Sequence, residues 1–263
     1  MPIHPSLNPR DGVILAIETS NPSSWVPSDA SPSLTMPGVA ALEWSGGKPG
    51  RLAVEPCDPS HRDDLLLPAI DRAMRSLGRG PKDLCAIAVS IGPGGFTSLR
   101  IAGAAAKMLA ISTGARLFAV PSARVVAHAA PVGPGPLGVA LGSKGESAWI
   151  ECFTDNQEHD PLGRPGIMHA GGLHALVDLG VTRLVADRFL PETMRAAAAS
   201  LGLALHHPVF TAQACLAAAR ARDEVSPAAL TPIYPRPPEA VRKWRELHPG
   251  TSSVPPGLLP KSP

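Results

Sequence analysis

The chain has 263 residues, 44% of them hydrophobic, enough for one large domain or two half-sized ones with a genuine core. A formal net charge of +2 provides no global basic field of the kind that holds nucleic acid through many phosphate contacts, so any RNA contact has to be local or shared with a partner. The four cysteines are scattered without a CxxC pair, and no basic leader or apolar run approaches the ~20 residues that span a bilayer, which excludes a disulfide scaffold and makes the cytoplasm the expected location.

In chain order, VILAI (13–17) reads as a buried strand, being short, apolar and rich in β-branched residues. A Pro/Ser-rich insert, 21–38, interrupts the chain before VAALEW (39–44) and RLAVEP (51–56), which flank the SGGKPG turn as a hairpin. HRDDLLLPAIDRAMRSLG (61–78) carries Leu66, Ile70, Ala73, Met74 and Leu77 at helical spacing with Gly78 as its stop, and Pro68 is tolerable if the helix starts near 64–67. LCAIAVSI (84–91) is a second buried strand, and SIGPGGFTSLRIAGAAAKMLA (90–110) leads into a helix ended by Gly114. RLFAV (116–120) and PSARVVAHAA (121–130) follow as strand and helix.

PVGPGPLG (131–138) has the composition of a linker, after which the order repeats. Strands are expected at 137–144, 146–153 and, more loosely, 164–170; a helix at 171–180; then strand 182–187, helix 191–202, strand 203–207 and helix 211–222. Both halves thus read β-β-β-α-β-α-β-α, an α/β arrangement with a mixed sheet and helices on its faces, used twice. The expected organisation is a first half over 1–130, a linker at 131–138, a second half over 139–233, and a partly disordered tail over 234–263 that is too poor in apolar residues to pack.

The loop GPGGFTSLR has the glycines and the helix start of a phosphate cradle, with Thr97 as N-cap candidate, but Pro93 removes a donor and no lysine follows as in a P-loop. The helix after it carries Ala102, Gly103, Ala105, Ala106 and Ala110, so its backbone can approach another element closely. On chemistry alone, packing inside its own half and packing on a partner are equally good readings. Leu65, Leu66 and Leu67 are consecutive, so at least one points away from the core. His61 suggests a base or metal ligand, yet no H-x-x-x-H pair exists, and His206 and His207 are adjacent in a strand and diverge, so no metal site is expected. Ser122 and Cys215 lack a His and acid constellation, and no catalytic residue is assigned. The basic stretch 236–247, with Trp244, would touch tRNA backbone, dock on a partner or simply be solvated.

Four segments, ILAIETS (14–20), HRDDLLLPAI (61–70), AVSIGPGGFTSLRIAGAAAKMLA (88–110) and LTPIYPRPPEA (230–240), resemble in order and spacing the TsaB (YeaZ) family. The resemblance is strongest over 13–122 and returns at Pro232, Tyr234 and Arg236. Gly95 and Ser98 stand where the family usually has Ser and Gly, and the 21–38 insert departs from its short first hairpin. The resemblance implies two ribonuclease-H-like halves of the actin, Hsp70 and sugar-kinase superfamily. It also implies a subunit without chemistry of its own that supports a TsaD-like paralogue in making N6-threonylcarbamoyladenosine at position 37 of tRNA.

The further partners it implies are a TsaE-like ATPase and tRNA through the complex. A separate reading is a self-associating scaffold, the small-residue surface burying itself in a homodimer when the partner is absent. The docking surface it implies comes from two first-half helices, here His61, Leu65, Leu66, Pro68 and Ile70, with Phe96, Thr97, Arg100, Ala102, Gly103 and Ala106. Glu18, Thr19 and Ser20 are the residues expected near a nucleotide. Gly142 and Ser143 stand where relatives tend to carry Asp and Ala, so no cofactor of the chain's own is expected, and ATP or ADP at a partner interface stays open. The alternative is a stand-alone ATP-dependent kinase or ATPase resting on Glu18.

Overall fold

The computed structural model describes residues 10–21, 36–58, 65–131, 133–155, 159–237 and 239–248. The first apolar run becomes strand β1 (Gly12–Glu18), buried at every residue after Gly12 because both of its faces are covered. That is why it shows no polar alternation. Strands β2 (Gly38–Ser45) and β3 (Lys48–Pro56) form the expected hairpin. Its turn, Gly46 and Gly47, has φ of 57° and 75°, a backbone that glycine adopts without strain and that matches strand twist.

Helix α1 (Leu66–Ser76), strand β4 (Leu84–Ser90), helix α2 (Phe96–Thr113), strand β5 (Arg116–Val120) and helix α3 (Ser122–Ala129) follow. The order then repeats: β6 (Leu137–Lys144), β7 (Ser147–Phe153), β8 (Pro161–His169), α4 (His174–Asp178), β9 (Arg183–Ala186), α5 (Glu192–Ser200), β10 (Ala204–His206) and α6 (Ala212–Ala218). A short strand, β11 (Glu224–Val225), and a helix, α7 (Glu239–Leu247), end the described chain.

Two mixed sheets result. The first has the order β11-β5-β4-β1-β2-β3, with β1, β4 and β5 parallel and the hairpin antiparallel; the second has the order β10-β9-β6-β7-β8 on the same plan. α1 and α2 cover one face of the first sheet, where Ala102, Ala105, Ala106 and Ala110 meet Val13, Leu15, Ile87 and Val89. The opposite face is covered by α6, from the second half of the sequence, through Cys215, Leu216 and Ala218. In return α3 sends Ala123, Val126 and Ala127 into the second sheet, against Val139, Leu141 and Phe153. The packing therefore crosses the proline-glycine run at 131–138, and each sheet depends on a helix from the other side of it.

Several elements differ from the sequence expectation. α6 stops at Ala218 because the chain turns extended at Ala219, and Asp223 accepts the Arg220 N–H at 3.0 Å. The chain then returns as β11 to the edge of the first sheet, antiparallel to β5, a strand too short to show a period. The segment 171–180 is a 3₁₀ turn plus the short α4, and two glycines at 171 and 172 account for the lost helix. The tail, expected not to pack, forms α7 over 239–247, where Val241 is buried. His61 and most of the 21–38 insert, 22–35, lie outside the described residues, as does 249–263.

Candidate functional site

At the end of β1, Glu18 Oε1 accepts the Ser20 backbone N–H at 2.8 Å and the Ser20 hydroxyl at 2.6 Å. Asn21 Nδ2 donates to Ser20 Oγ and to the Pro93 carbonyl, both at 2.9 Å, and the Gly95 N–H donates to the Ser20 carbonyl at 2.7 Å. The 92–95 loop therefore lies directly on the 18–21 turn. Gly94 shows how directly: a Cβ there would stand 2.1 Å from the Ser20 carbonyl oxygen. On its other side, the Gly92 N–H donates to Ser122 Oγ at 3.0 Å, and Ser122 Oγ also shares a hydrogen with Ser90 Oγ at 2.7 Å.

This geometry answers what the glycine-rich loop does. A phosphate cradle needs backbone N–H groups aimed at an empty space. Here the Gly92 and Gly95 N–H groups are consumed inside the chain, and Pro93 has none. Glu18 and Ser20, two of the residues expected near a nucleotide, sit beneath this loop. Both are enclosed, and burial, opposed by the two Ser20 hydrogen bonds, pushes the Glu18 carboxyl above its ordinary range. Glu18 Oε2 has no hydrogen-bond partner among the described residues, and Thr19 is half-buried.

The second sheet meets this junction from below. Gly142, at φ 59°, lies beneath Pro93, and Arg236 reaches across to donate to the Gly142 carbonyl, the Ser147 carbonyl at 3.0 Å and Ser147 Oγ at 2.9 Å. The Ile233 N–H donates to the Ile91 carbonyl at 2.7 Å, so 230–236 straps the two sheets together. One carboxylate near the junction escaped the sequence reading: Asp187, at the end of β9, is buried, accepts the Phe189 N–H at 2.9 Å and is pushed up by desolvation. An acidic residue closing a predicted strand, TRLVAD, was the available signal. Glu146, in contrast, is an exposed turn residue that accepts the Thr193 hydroxyl at 2.6 Å.

The two nucleophile candidates are buried. Ser122 is fully buried with its hydroxyl committed as above, and Cys215 is enclosed with its thiol pushed well up by burial, the Glu18 carboxyl adding to the effect. Among the described residues no three His, Cys, Asp or Glu side chains converge as a metal-binding group, and no helix is long and apolar enough to cross a membrane.

α2 begins at Phe96 with Gly95 as N-cap, so Thr97 lies inside the first turn and caps nothing; Gly114, at φ 69°, stops the helix as expected. Ala102, Ala105, Ala106 and Ala110 face inward, while Gly103 is half-buried and Ala104 exposed. Ala102 and Ala106, expected on the docking surface, are buried against the first sheet, as are Leu66 and Ile70 of α1; the alanines let α2 lie close on the sheet, and the larger α1 side chains fill the core beneath α1. Facing out are Phe96 (55% exposed), Ile101 (37%), Met108 (51%) and Ile111 (72%), with Leu67 (46%) on α1, the one of its three leucines that leaves the core. Pro68, Thr97 and Arg100 are also exposed, and Leu65 is half-buried.

Arg100 stacks over the Phe96 ring at 4.2 Å, and Phe96 meets Tyr234 with ring centroids 5.5 Å apart. Between α2 and the 230–234 strap runs a groove of about 380 Å³, bounded by Arg100, Gly103, Ala104, Lys107, Leu230 and Tyr234. Sequence reasoning missed Ile101, Met108 and Ile111, because a helix with apolar residues on every face does not reveal which face the sheet covers.

Residues 57–149 match the family model described as "TsaD: tRNA N6-adenosine threonylcarbamoyltransferase". No curated protein matches the chain in sequence. Two solved structures resemble it across nearly its whole length. One is YeaZ from Pseudomonas aeruginosa, 19% identical, with a TM-score of 0.61 over 84% of this chain and 100% of that one. The other is described as an uncharacterized protein with similarity to peptidase YeaZ from Pseudomonas aeruginosa, 18% identical, with a TM-score of 0.57 over 86% of this chain and 100% of that one. The fold is that of YeaZ. On this YeaZ-type fold, the segment matching the threonylcarbamoyltransferase family runs from the end of β3 into β7 and includes the glycine-rich loop, α2 and Gly142.

Proposed function

We propose that the chain is a TsaB-like subunit that supports a TsaD-like paralogue in transferring threonylcarbamoyl to adenosine 37 of tRNA, acting as a docking partner without catalysis of its own. The observation that carries this reading is the outward face of α2, where Phe96, Ile101, Met108 and Ile111 expose apolar surface, with Leu67 exposed on α1. Isolated exposed apolar residues are ordinary, but a row of them along one helix is a binding face. The match of 57–149 to the threonylcarbamoyltransferase family and the YeaZ fold supply the chemistry that the face would serve. A TsaE-like ATPase, tRNA and any bound ATP or ADP belong to the assembled complex in this proposal. In the isolated chain the same face would bury itself in a homodimer.

The test is co-elution of the chain with a TsaD counterpart on size exclusion, paired with a tRNA modification assay. The double substitution Met108→Glu with Ile111→Glu should abolish both while leaving the chain folded, since both side chains point to solvent. Unchanged co-elution would overturn the proposal.

A further inference from the structure

Four residues of α2 face away from the first sheet at a regular interval. Ile101, Ala104, Met108 and Ile111 are all exposed, and they follow one another by three, four and three residues. That interval returns to one line along the helix every two turns, which is the seam of a helix that packs lengthwise on a second helix. In coiled-coil terms these residues hold positions a, d, a and d. The outward face of α2 is therefore shaped for a helix in particular.

The charges beside the seam keep the same period. Arg100 and Lys107 each stand one residue before a seam isoleucine or methionine, at the g position, which borders the partner helix and selects it by charge. Arg100 is exposed, Lys107 is half-buried, and both stand on the wall of the groove of about 380 Å³ between α2 and the 230–234 strap. Gly103 keeps that wall low between them: a Cβ there would meet only Leu230, at 4.0 Å. Arg100 rests on the Phe96 ring at 4.2 Å, no acidic side chain lines the groove, and α2 has no Asp or Glu in its 18 residues. One edge of the seam thus carries positive charge that neither α2 nor the groove wall offsets.

Such an edge discriminates between occupants. Against an acidic helix the two cations form ion pairs at the border of an apolar contact, where partial exclusion of water strengthens them. Against a second copy of α2 laid antiparallel, g meets g, so like charges oppose each other and the pairing of two copies is the weaker assembly. An RNA backbone would satisfy the cations but offers nothing to cover Ile101, Met108 and Ile111, so the apolar seam and the charged edge together favour a protein helix.

We infer that α2 and the groove beside it receive an acidic helix of the docking partner, with apolar residues seated on Ile101, Met108 and Ile111 and carboxylates two turns apart on Arg100 and Lys107. This rests on the docking reading proposed above and adds to it the chemistry of the segment that docks.

The test measures the affinity of the full chain for the TsaD counterpart by calorimetric titration at low and high salt. Arg100→Glu combined with Lys107→Glu should weaken binding by about tenfold or more, and Arg100→Gln with Lys107→Gln should weaken it less while removing most of the salt dependence seen with the parent chain. Circular dichroism should show both variants folded, since neither side chain holds an acidic partner within the groove. If the charge-reversed chain binds like the parent while Met108→Glu with Ile111→Glu still abolishes binding, this inference is overturned and the docking reading stands. If neither pair of substitutions alters binding, the docking reading falls and takes the inference with it. A charge-reversed chain that keeps its partner affinity but loses affinity for a short RNA oligonucleotide assigns the cations to nucleic acid and overturns the inference as well.

Discussion

The loop over 92–95 and the helix over 96–113 are consecutive and equally rich in small residues, yet they spend that smallness differently. In the loop the absence of side chains lets one backbone rest on another: Gly94 against the Ser20 carbonyl, Gly92 beside the Ile233 carbonyl, Pro93 over Gly142. In α2 the small residues let the helix sink onto its own sheet, which turns the larger Phe96, Ile101, Met108 and Ile111 outward. A glycine-rich stretch is thus no single signal. What matters is which neighbour the missing side chains admit.

The contrast can be broken most severely at the loop. Gly94→Ala would drive a Cβ into the Ser20 carbonyl, a backbone atom that cannot swing aside, and should cost about 3 kcal/mol or more of stability, read by chemical denaturation. The corresponding change in the helix, Gly103→Ala, meets only Leu230 at 4.0 Å and should stabilise by up to about 1 kcal/mol through helix propensity. Similar losses at both positions would erase the distinction. Arg236→Ala should come next, about 2 kcal/mol for three hydrogen bonds lost across the two sheets. At the outward face the expectation reverses: Met108→Glu with Ile111→Glu should change stability by less than about 0.5 kcal/mol per site, while weakening partner binding tenfold or more.

The smallest effect concerns Glu18 and its pH dependence. Burial raises its carboxyl in the folded chain from an ordinary 4.5, so the folded state keeps the proton over a range where the unfolded chain has released it. Stability from this group is therefore fully present below pH 4.5 and declines as pH rises through the folded value. Glu18→Gln, which keeps an oxygen to accept from Ser20, should raise the melting temperature relative to the parent chain at neutral pH and match it near pH 4. Equal melting temperatures across the range would place Glu18 in water.

Much of this architecture is legible in the sequence. The doubled β-β-β-α-β-α-β-α order, the Gly46–Gly47 turn and the stop at Gly114 all follow from short-range rules that tertiary contacts do not override. What stays hidden is long-range. Nothing local in TAQACLAA says that it will cover the first sheet instead of the second, and β11 is two residues pinned by a partner strand more than a hundred positions away. At the site, the leucine triplet announces that one side chain must leave the core without saying that it is Leu67. Glu18 in ETS reads as a phosphate-hairpin acid, and only the closure of 92–95 over it makes it a buried anchor.

Hydrogen exchange on the unmodified chain, with and without a TsaD counterpart, tests the central claim most directly. The account predicts that complex formation slows exchange over 96–111 and 230–234 and leaves the already sealed amides at 92 and 95 as they were. A complex that forms while α2 exchanges as freely as before, with protection concentrated elsewhere, would contradict it.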